Sequence, residues 1–164
     1  ASLESYGISA ANYNGGGQVV VAGPADGIAA LAATPPAGAR VIPLQVAGAF
    51  HTRFMQPAVA SLTEYAAGIE PTDPSLQILT NRDGSLVESG AEYLELLINQ
   101  VSNPVRWDLC MNTLTETGVD ALIEVSPAGA LVGLAKRGMP GVTTVALKTP
   151  DNLDAALELI KSHG

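Results

Sequence analysis

His51 is the residue in this sequence best suited to chemistry, and it stands in the run Gly48-Ala49-Phe50-His51-Thr52. A histidine changes its charge near neutral pH, so it can act as a general acid or base. Loops that follow strands in α/β proteins often carry such groups. The residues alone leave two interpretations open: a catalytic base, or a loop histidine bonded to a neighbouring carbonyl. The other histidine, His163, lies at the C-terminal end.

A histidine base needs a nucleophile, and neither candidate in the sequence fits that role. No Gly-x-Ser-x-Gly elbow is present, and the nearest imitation is Ser126 in Val-Ser-Pro-Ala-Gly. Pro127 has no backbone N–H at the position where an elbow places an oxyanion donor. Cys110 lies within a predicted helix beside Met111, a core environment that keeps a thiol protonated. We therefore interpret Ser126 as part of a structural turn and Cys110 as a core residue.

Two further motifs have ordinary structural interpretations. Residues 15–17 are three glycines, but they lack the lysine of a Walker loop and the Gly-x-Gly-x-x-Gly spacing, so they predict a hairpin turn. Asp83-Gly84 with Glu88 does not have the carboxylate spacing of a calcium loop and predicts a turn. We expect no metal site from these residues.

Composition sets limits on the class of protein. The chain has 164 residues, of which 47% are hydrophobic and 15% charged, which indicates a folded domain with a core. Its net charge of −8 disfavours binding to duplex nucleic acid. No apolar run approaches the roughly 20 residues of a membrane span, and no signal-peptide pattern is expected at the start. A single cysteine excludes an internal disulfide, so a reducing cytoplasm is the expected location.

The pattern of apolar runs, glycines and prolines predicts alternating strands and helices, hence an α/β fold with a mostly parallel sheet covered on both faces. Residues 1–7 are expected to be the end of a helix stopped by a glycine. Within the predicted helices, Leu94, Leu97 and Ile98 should face inward, and Asp151 should lie at or near an N-cap. Strands are predicted over residues 8–11, 18–23, 40–46, 76–80, 122–125 and 142–147, and helices over 24–33, 52 or 55 to 67, 90–100, 105–116, 130–137 and 151–161.

Four stretches together are more specific than any single motif. They are Ala11-Asn12-Tyr13-Asn14 with residues 17–23, Val46-Ala47-Gly48-Ala49-Phe50-His51 with Met55 and Pro57, residues 100–107, and residues 123–134. Their order and spacing resemble the malonyl-CoA:acyl carrier protein transacylases of type II fatty acid synthesis, especially actinobacterial members. The resemblance extends over essentially the whole chain.

The resemblance implies a fold and a division of the chain. The family has an α/β-hydrolase-like large subdomain with an inserted ferredoxin-like small subdomain. Residues 1–48 would be the later part of the small subdomain, and residues 49–164 the C-terminal part of the large one. The chain would then be the C-terminal portion of such an enzyme.

The resemblance also implies roles for five residues. His51 matches the catalytic histidine, and Gln100 matches the position whose main-chain carbonyl orients that histidine, as a carboxylate does in a Ser-His-Asp triad. Asn12 and Asn14 match asparagines that lie near the active-site cleft and the thiol end of the pantetheine arm. Phe50, directly before His51, is similar to the form typical of malonyl-selecting domains, whereas methylmalonyl-selecting domains usually have serine there.

Other parts of the family's machinery are absent from the sequence. The Gly-His-Ser-x-Gly elbow, an oxyanion-supporting glutamine and the arginine that pairs with the malonyl carboxylate are expected in a part preceding Ala1. The whole enzyme would transfer malonyl from malonyl-CoA to acyl carrier protein through a malonyl-serine, with that missing part as a partner. It would need no cofactor of its own, since the phosphopantetheine belongs to the carrier protein. This chain alone is expected to be inactive.

Three alternatives remain open at this point. The chain could be a fragment of a polyketide synthase acyltransferase domain. It could instead be a non-catalytic module that binds carrier protein or CoA, with a purely structural His51. A small hydrolase that uses Ser126 is the third alternative, and Pro127 disfavours it.

Overall fold

The computed structural model describes residues 3–163 and confirms a mixed α/β architecture. Short 3-10 turns cover Leu3–Tyr6, Arg53–Met55 and Pro150–Asn152. The first lies in the predicted helical end, of which Ala1 and Ser2 fall outside the described residues. The helices are α1 (Ala25–Ala33), α2 (Gln56–Ala66), α3 (Gly90–Gln100), α4 (Trp107–Glu116), α5 (Ala130–Gly138) and α6 (Leu153–His163), and the strands are β1 (Ser9–Gly15), β2 (Gln18–Ala22), β3 (Ile78–Leu79), β4 (Leu86–Val87), β5 (Ala121–Val125) and β6 (Thr143–Leu147).

The predicted hairpin is present as β1 and β2, which pair antiparallel from Ser9 opposite Ala22 to Gly15 opposite Gln18. The strand β1 continues through Asn12 and Asn14, which the sequence had placed in the turn. Gly16 and Gly17 alone form that turn, with φ of 58° and 79°, a region that favours glycine. The two asparagines are therefore held on a strand.

The parallel pair β5 and β6 runs in register from Ala121 opposite Thr143 to Val125 opposite Leu147. The intervening α5 buries Leu134 and Ala135, and together with Met139 directly after the helix they form a cluster with Met111 of α4. This is the βαβ unit that the alternating pattern predicted. No helix within residues 3–163 is long and apolar enough to cross a membrane.

A tight connection joins β3 and β4 and packs against α4. Gly84 at its end has a φ of 74°, and a Cβ there would lie 2.6 Å from the carbonyl carbon of Leu109, so only glycine fits. The following helix α3 begins at Gly90, as predicted, because the Ser89 hydroxyl caps Glu92 N and the Asp73 carboxylate accepts from Gly90 N. The helix ends at Gln100.

The predicted strand over residues 40–46 is wrong, since those residues pair with no strand in the described part of the chain. Its alternating apolar residues lie exposed: Ile42 at 59%, Leu44 at 60% and Val46 at 69%. Their pattern is that of a strand, but a strand forms only where another backbone supplies hydrogen bonds.

Two smaller expectations also need correction. The mostly parallel sheet is instead three two-stranded sheets among residues 3–163, of which only β5–β6 is parallel. Leu97 is 53% exposed rather than inward, because it lies on the side of α3 away from its neighbours. Asp151 lies near the start of α6, as expected, within the 3-10 turn Pro150–Asn152 whose N-cap Thr149 forms a capping box with Asn152.

Candidate active site around His51

His51 is attached to the end of α3 at two points. Its backbone N–H donates to the Val101 carbonyl at 2.8 Å, and its Nδ1 lies 2.8 Å from the Gln100 carbonyl oxygen, 49 residues along the chain. A carbonyl oxygen only accepts, so Nδ1 carries the proton in this contact and Nε2 keeps its lone pair. The arrangement leaves Nε2 able to receive a proton from another group.

The backbone of His51 is in the left-handed region, with a φ of 64°. Histidine is one of the residues enriched there, but such conformations still cost roughly 1–3 kcal/mol and persist only where neighbours enforce them. Thr52 is one such neighbour: it is 2% exposed, and its hydroxyl donates to the Ala49 carbonyl at 2.6 Å. The Thr52 hydroxyl oxygen also accepts a hydrogen bond from Phe54 N, and Thr52 thereby caps the turn Arg53–Met55.

Arg53 ties the His51 loop to the start of β1. Its guanidinium donates to Ser9 Oγ at 2.9 Å and to the Gly7 carbonyl at 3.1 Å. It also lies 4.7 Å from the centroid of the Phe54 ring. These exposed contacts orient the loop between two elements rather than add much stability.

The segment 101–105 connects the histidine to the strand that carries the asparagines. Val105 N donates to the Ala11 carbonyl and Tyr13 N to the Val105 carbonyl, both at 2.8 Å. These bonds flank Asn12 and form a parallel bridge between it and Val105. One short segment therefore holds both β1 and the His51 backbone.

The predicted substrate-binding residues lie near this segment. Within residues 3–163, no hydrogen bond joins their side chains to His51. Asn12 and Asn14 are half-buried on β1, on either side of Tyr13 in the sequence. The pairing of β1 with β2 is irregular between Ala10 and Asn12 and again between Tyr13 and Gly15. Phe50 is 45% exposed beside His51. The structure thus joins His51 directly to Gln100 and joins Asn12 to the same segment through Val105. The roles of all five residues stay predictions.

Tyr13 is held from the other side by Arg106. The guanidinium lies 5.0 Å from the Tyr13 ring centroid and binds Asp108 through two hydrogen bonds of 2.9 and 2.8 Å. The side-chain hydrogen bond from Arg106 lowers the pKa of the Asp108 carboxyl below its ordinary value. The charged pair therefore stays intact at neutral pH and fixes the middle of β1.

Ser126 lies exposed after β5 in a turn that Glu124 organises. The Glu124 carboxylate accepts from the backbone N–H groups of Gly129, Leu131 and Val132 at 2.8, 3.0 and 2.9 Å. These are the donors at the start of α5 that an oxyanion would need, and a carboxylate already occupies them. The geometry supports the structural interpretation of Ser126.

Cys110 is 2% exposed in α4, with its Sγ 3.5 Å from the Thr80 carbonyl oxygen. Burial raises the pKa of its thiol to about 11, so it is protonated at neutral pH and is a poor nucleophile. Among residues 3–163, no three His, Cys, Asp or Glu side chains cluster as metal ligands would.

Sequence reasoning missed the contacts that hold the site together: the Thr52 hydroxyl and the carbonyls of Val101 and Val105. A threonine directly before a predicted helix is a capping signal, so Thr52 could have been found. Main-chain acceptors leave no such signal, because every residue type has a carbonyl.

Comparison with known proteins gives a consistent result, although no family model matches the chain. The malonyl CoA-acyl carrier protein transacylase of Mycobacterium tuberculosis strain H37Rv is 47% identical over 157 residues, covering 96% of this chain and 52% of the relative. The crystal structure of MCAT from Mycobacterium tuberculosis superposes with a TM-score of 0.88 at 48% identity, over 93% of this chain and 51% of the other.

A second solved structure adds a partner to the comparison. It is described as PlMCAT:AntF (holo), a type II PKS acyl-carrier protein in complex with its malonyl-transacylase. It superposes with a TM-score of 0.82 at 33% identity, covering 92% of this chain and 50% of the matched one. The chain thus spans about half the length of the relatives that it matches.

Proposed function

We propose that this chain, which belongs to the malonyl CoA-acyl carrier protein transacylase family, supplies the base-bearing half of a malonyl-transferring enzyme. The whole enzyme transfers malonyl from malonyl-CoA to the pantetheine thiol of acyl carrier protein. The observation that carries the proposal is the double attachment of His51 to α3, which leaves Nε2 as a proton acceptor. The family name of the relatives identifies the reaction that such a base serves.

In this mechanism His51 acts twice in each half-reaction. Nε2 takes the proton of a serine hydroxyl from the other half of the enzyme while that oxygen attacks the malonyl thioester. The C–S bond breaks, and the CoA sulfur takes the proton back from Nε2. The pantetheine thiol then gives its proton to Nε2 and attacks the malonyl-serine ester. The C–O bond breaks, and the serine oxygen recovers the proton.

Gln100 supports these steps through its main-chain carbonyl. A neutral carbonyl stabilises a positively charged imidazole less than a carboxylate would, so its contribution is mainly to the tautomer and orientation of the ring. Asn12 and Asn14 would line the cleft near the thiol end of the pantetheine arm. Phe50 would lie against the acyl group and favour malonyl over methylmalonyl.

The finer division of the fold belongs to the same proposal. Residues 1–48 would be part of a ferredoxin-like small subdomain, and the hairpin β1–β2 with α1 supports this division. Residues 49–164 would be part of an α/β-hydrolase-like large subdomain, which the βαβ unit around α5 supports. A cytoplasmic location and the absence of a resident cofactor complete the proposal.

The partner that the proposal requires is the remaining half of the family's length. Two apolar surfaces of the chain support this requirement. One is the unpaired segment with Ile42, Leu44 and Val46, and the other is a stripe on α6, whose Leu157 is 52% and Ile160 56% exposed. Exposed apolar residues in such groups are typical of surfaces that another polypeptide covers.

A reconstitution assay tests the proposal against the alternatives. The chain is mixed with the part of the Mycobacterium tuberculosis transacylase that it does not match, and malonyl transfer from malonyl-CoA to holo-carrier protein is followed by mass spectrometry. Transfer by the mixture and none by the chain alone is expected. A mixture that forms a complex without transferring malonyl would contradict the proposal.

The same mixture separates the alternatives of another class. A binding module would retain carrier protein whether or not His51 is intact, and no transfer would depend on it. If the chain were a hydrolase, a fluorophosphonate probe would react with Ser126 and label it. The transacylase name that the relatives carry already favours this enzyme over a modular polyketide synthase domain.

A further inference from the structure

The side chain and the main-chain carbonyl of Gln100 bond to different partners. Its carbonyl oxygen accepts from His51 Nδ1, while its side-chain Nε2 donates to the Asn103 carbonyl at 2.8 Å and to the Pro104 carbonyl at 3.2 Å. One residue therefore orients the histidine with its backbone and bonds to the following turn with its side chain.

The turn to which Gln100 Nε2 donates belongs to the segment 101–105, which bonds to both His51 and β1. It contains the Val101 carbonyl, which accepts from His51 N, and it ends at Val105, which pairs with β1. Asn103 reinforces it, because its Nδ2 donates to the Asn99 carbonyl at 2.8 Å. Beyond the end of α3, the backbone bonds from Ser102 N to the Asn99 carbonyl at 3.2 Å and from Asn103 N to the Gln100 carbonyl at 3.3 Å form the turn, and the side-chain bonds of Gln100 and Asn103 add to them.

We infer that the Gln100 side-chain amide is a positioning group for His51. By closing the turn over residues 101–104, it keeps the Gln100 and Val101 carbonyls aimed at the His51 ring and backbone. An NH₂ group is the group the site needs, since it must donate to two carbonyl oxygens at once. A carboxylate of the same shape would face both carbonyls as a third acceptor and repel them.

That His51 is a catalytic base rests on the proposed function. The hydrogen bonds that join Gln100 to His51 and to the turn belong to this chain alone. Every substitution of Gln100 retains a main-chain carbonyl. A side-chain substitution that changes the proton position on His51 therefore shows that the side chain acts through the turn. A purely local structural role would leave the ring tautomer unchanged.

The experiment measures the His51 tautomer by long-range ¹H–¹⁵N NMR on the chain labelled with ¹⁵N-histidine, in mildly alkaline buffer. The wild-type chain should hold the proton on Nδ1. Gln100→Ala should lower the ratio of the Nδ1–H to the Nε2–H form, by up to roughly tenfold, the size of a lost neutral hydrogen bond. Gln100→Glu should lower it at least as far.

Two controls make the result decisive. Gln77→Glu places the same change of charge at an exposed loop position and should leave His51 as in the wild type. His163 in each sample serves as an internal reference that should not move. Gln100→Ala, the milder variant, still gives an answer if Gln100→Glu does not fold.

Wild-type tautomer ratios in both Gln100 variants would overturn the inference. A shifted tautomer together with a reconstituted complex that transfers no malonyl would contradict the proposed function and leave the positioning role standing. The two failures are therefore distinguishable.

Discussion

Replacing Glu124 by glutamine perturbs the turn after β5 at one carboxylate that is 7% exposed. Its two oxygens accept three backbone N–H groups at the start of α5, two on Oε2 and one on Oε1. Glutamine keeps one oxygen and replaces the other by an NH₂ group, so at least one buried N–H loses its acceptor. An unsatisfied buried donor costs about 1–3 kcal/mol. We expect Glu124→Gln to lower the free energy of unfolding by that amount at pH 7.

The effect should depend on pH in a defined direction. Burial by itself raises the pKa of the Glu124 carboxyl, but the N–H donors of Val132, Leu131 and Gly129 hold it below its ordinary value. A carboxyl with a lowered folded-state pKa stabilises the fold above its unfolded value of about 4.3. That contribution is lost as the pH falls through the lower folded value. The difference between wild type and Glu124→Gln should therefore be constant above about pH 5 and shrink at lower pH.

Urea unfolding followed by circular dichroism, at pH 7 and in steps from pH 5 to 3, measures both effects. Glu116→Gln at the exposed end of α4 is the matched control and should change stability by less than about 0.5 kcal/mol. A Glu124→Gln variant as stable as this control, or a difference that grows as the pH falls, would refute the account of the turn. It would also reopen the interpretation of Ser126.

Three further outcomes are expected. Thr52→Val removes the hydroxyl that donates to Ala49, so it should lower unfolding free energy by about 1–3 kcal/mol in urea titrations, and Thr52→Ser should restore most of that loss. Cys110, with its pKa raised to about 11 from 9.0, should react with a thiol reagent at pH 8 about 100-fold more slowly in the native chain than in urea; equal rates would contradict its burial. Leu157→Glu should keep the circular dichroism spectrum and reduce light scattering, whereas Leu159→Glu, at a site 6% exposed, should unfold the chain.

Local signals in the sequence predicted the elements that have their own caps. The helix predicted over residues 90–100 coincides with α3, which the Ser89 hydroxyl caps at its start and which ends shortly before Asn103-Pro104. The strand over 40–46 could not be judged in the same way, because a strand needs a partner backbone and no strand within residues 3–163 pairs with this segment. The two-residue strand β4 was missed because it is too short to show alternation.

In the candidate site, too, the sequence indicated individual residues but not the contacts that the fold creates between distant parts of the chain. Residue types alone marked His51 as a possible base, but the link to Gln100 came from the resemblance to a family, and the structure has that contact. Thr52 was recognisable as a cap. The bonds of Val101 and Val105 were not recognisable, because they use main-chain atoms brought together by the fold.

The reaction rate of the reconstituted mixture with His51→Ala tests the central claim most directly. Carrier-protein malonylation is measured under conditions where chemistry limits the rate, beside the control Gln56→Ala on the exposed start of α2. If His51 is the general base, its loss should slow transfer by at least about 10²–10⁴-fold, while the control stays within twofold of wild type. A His51→Ala mixture that forms the same complex and transfers malonyl at the wild-type rate would contradict the account.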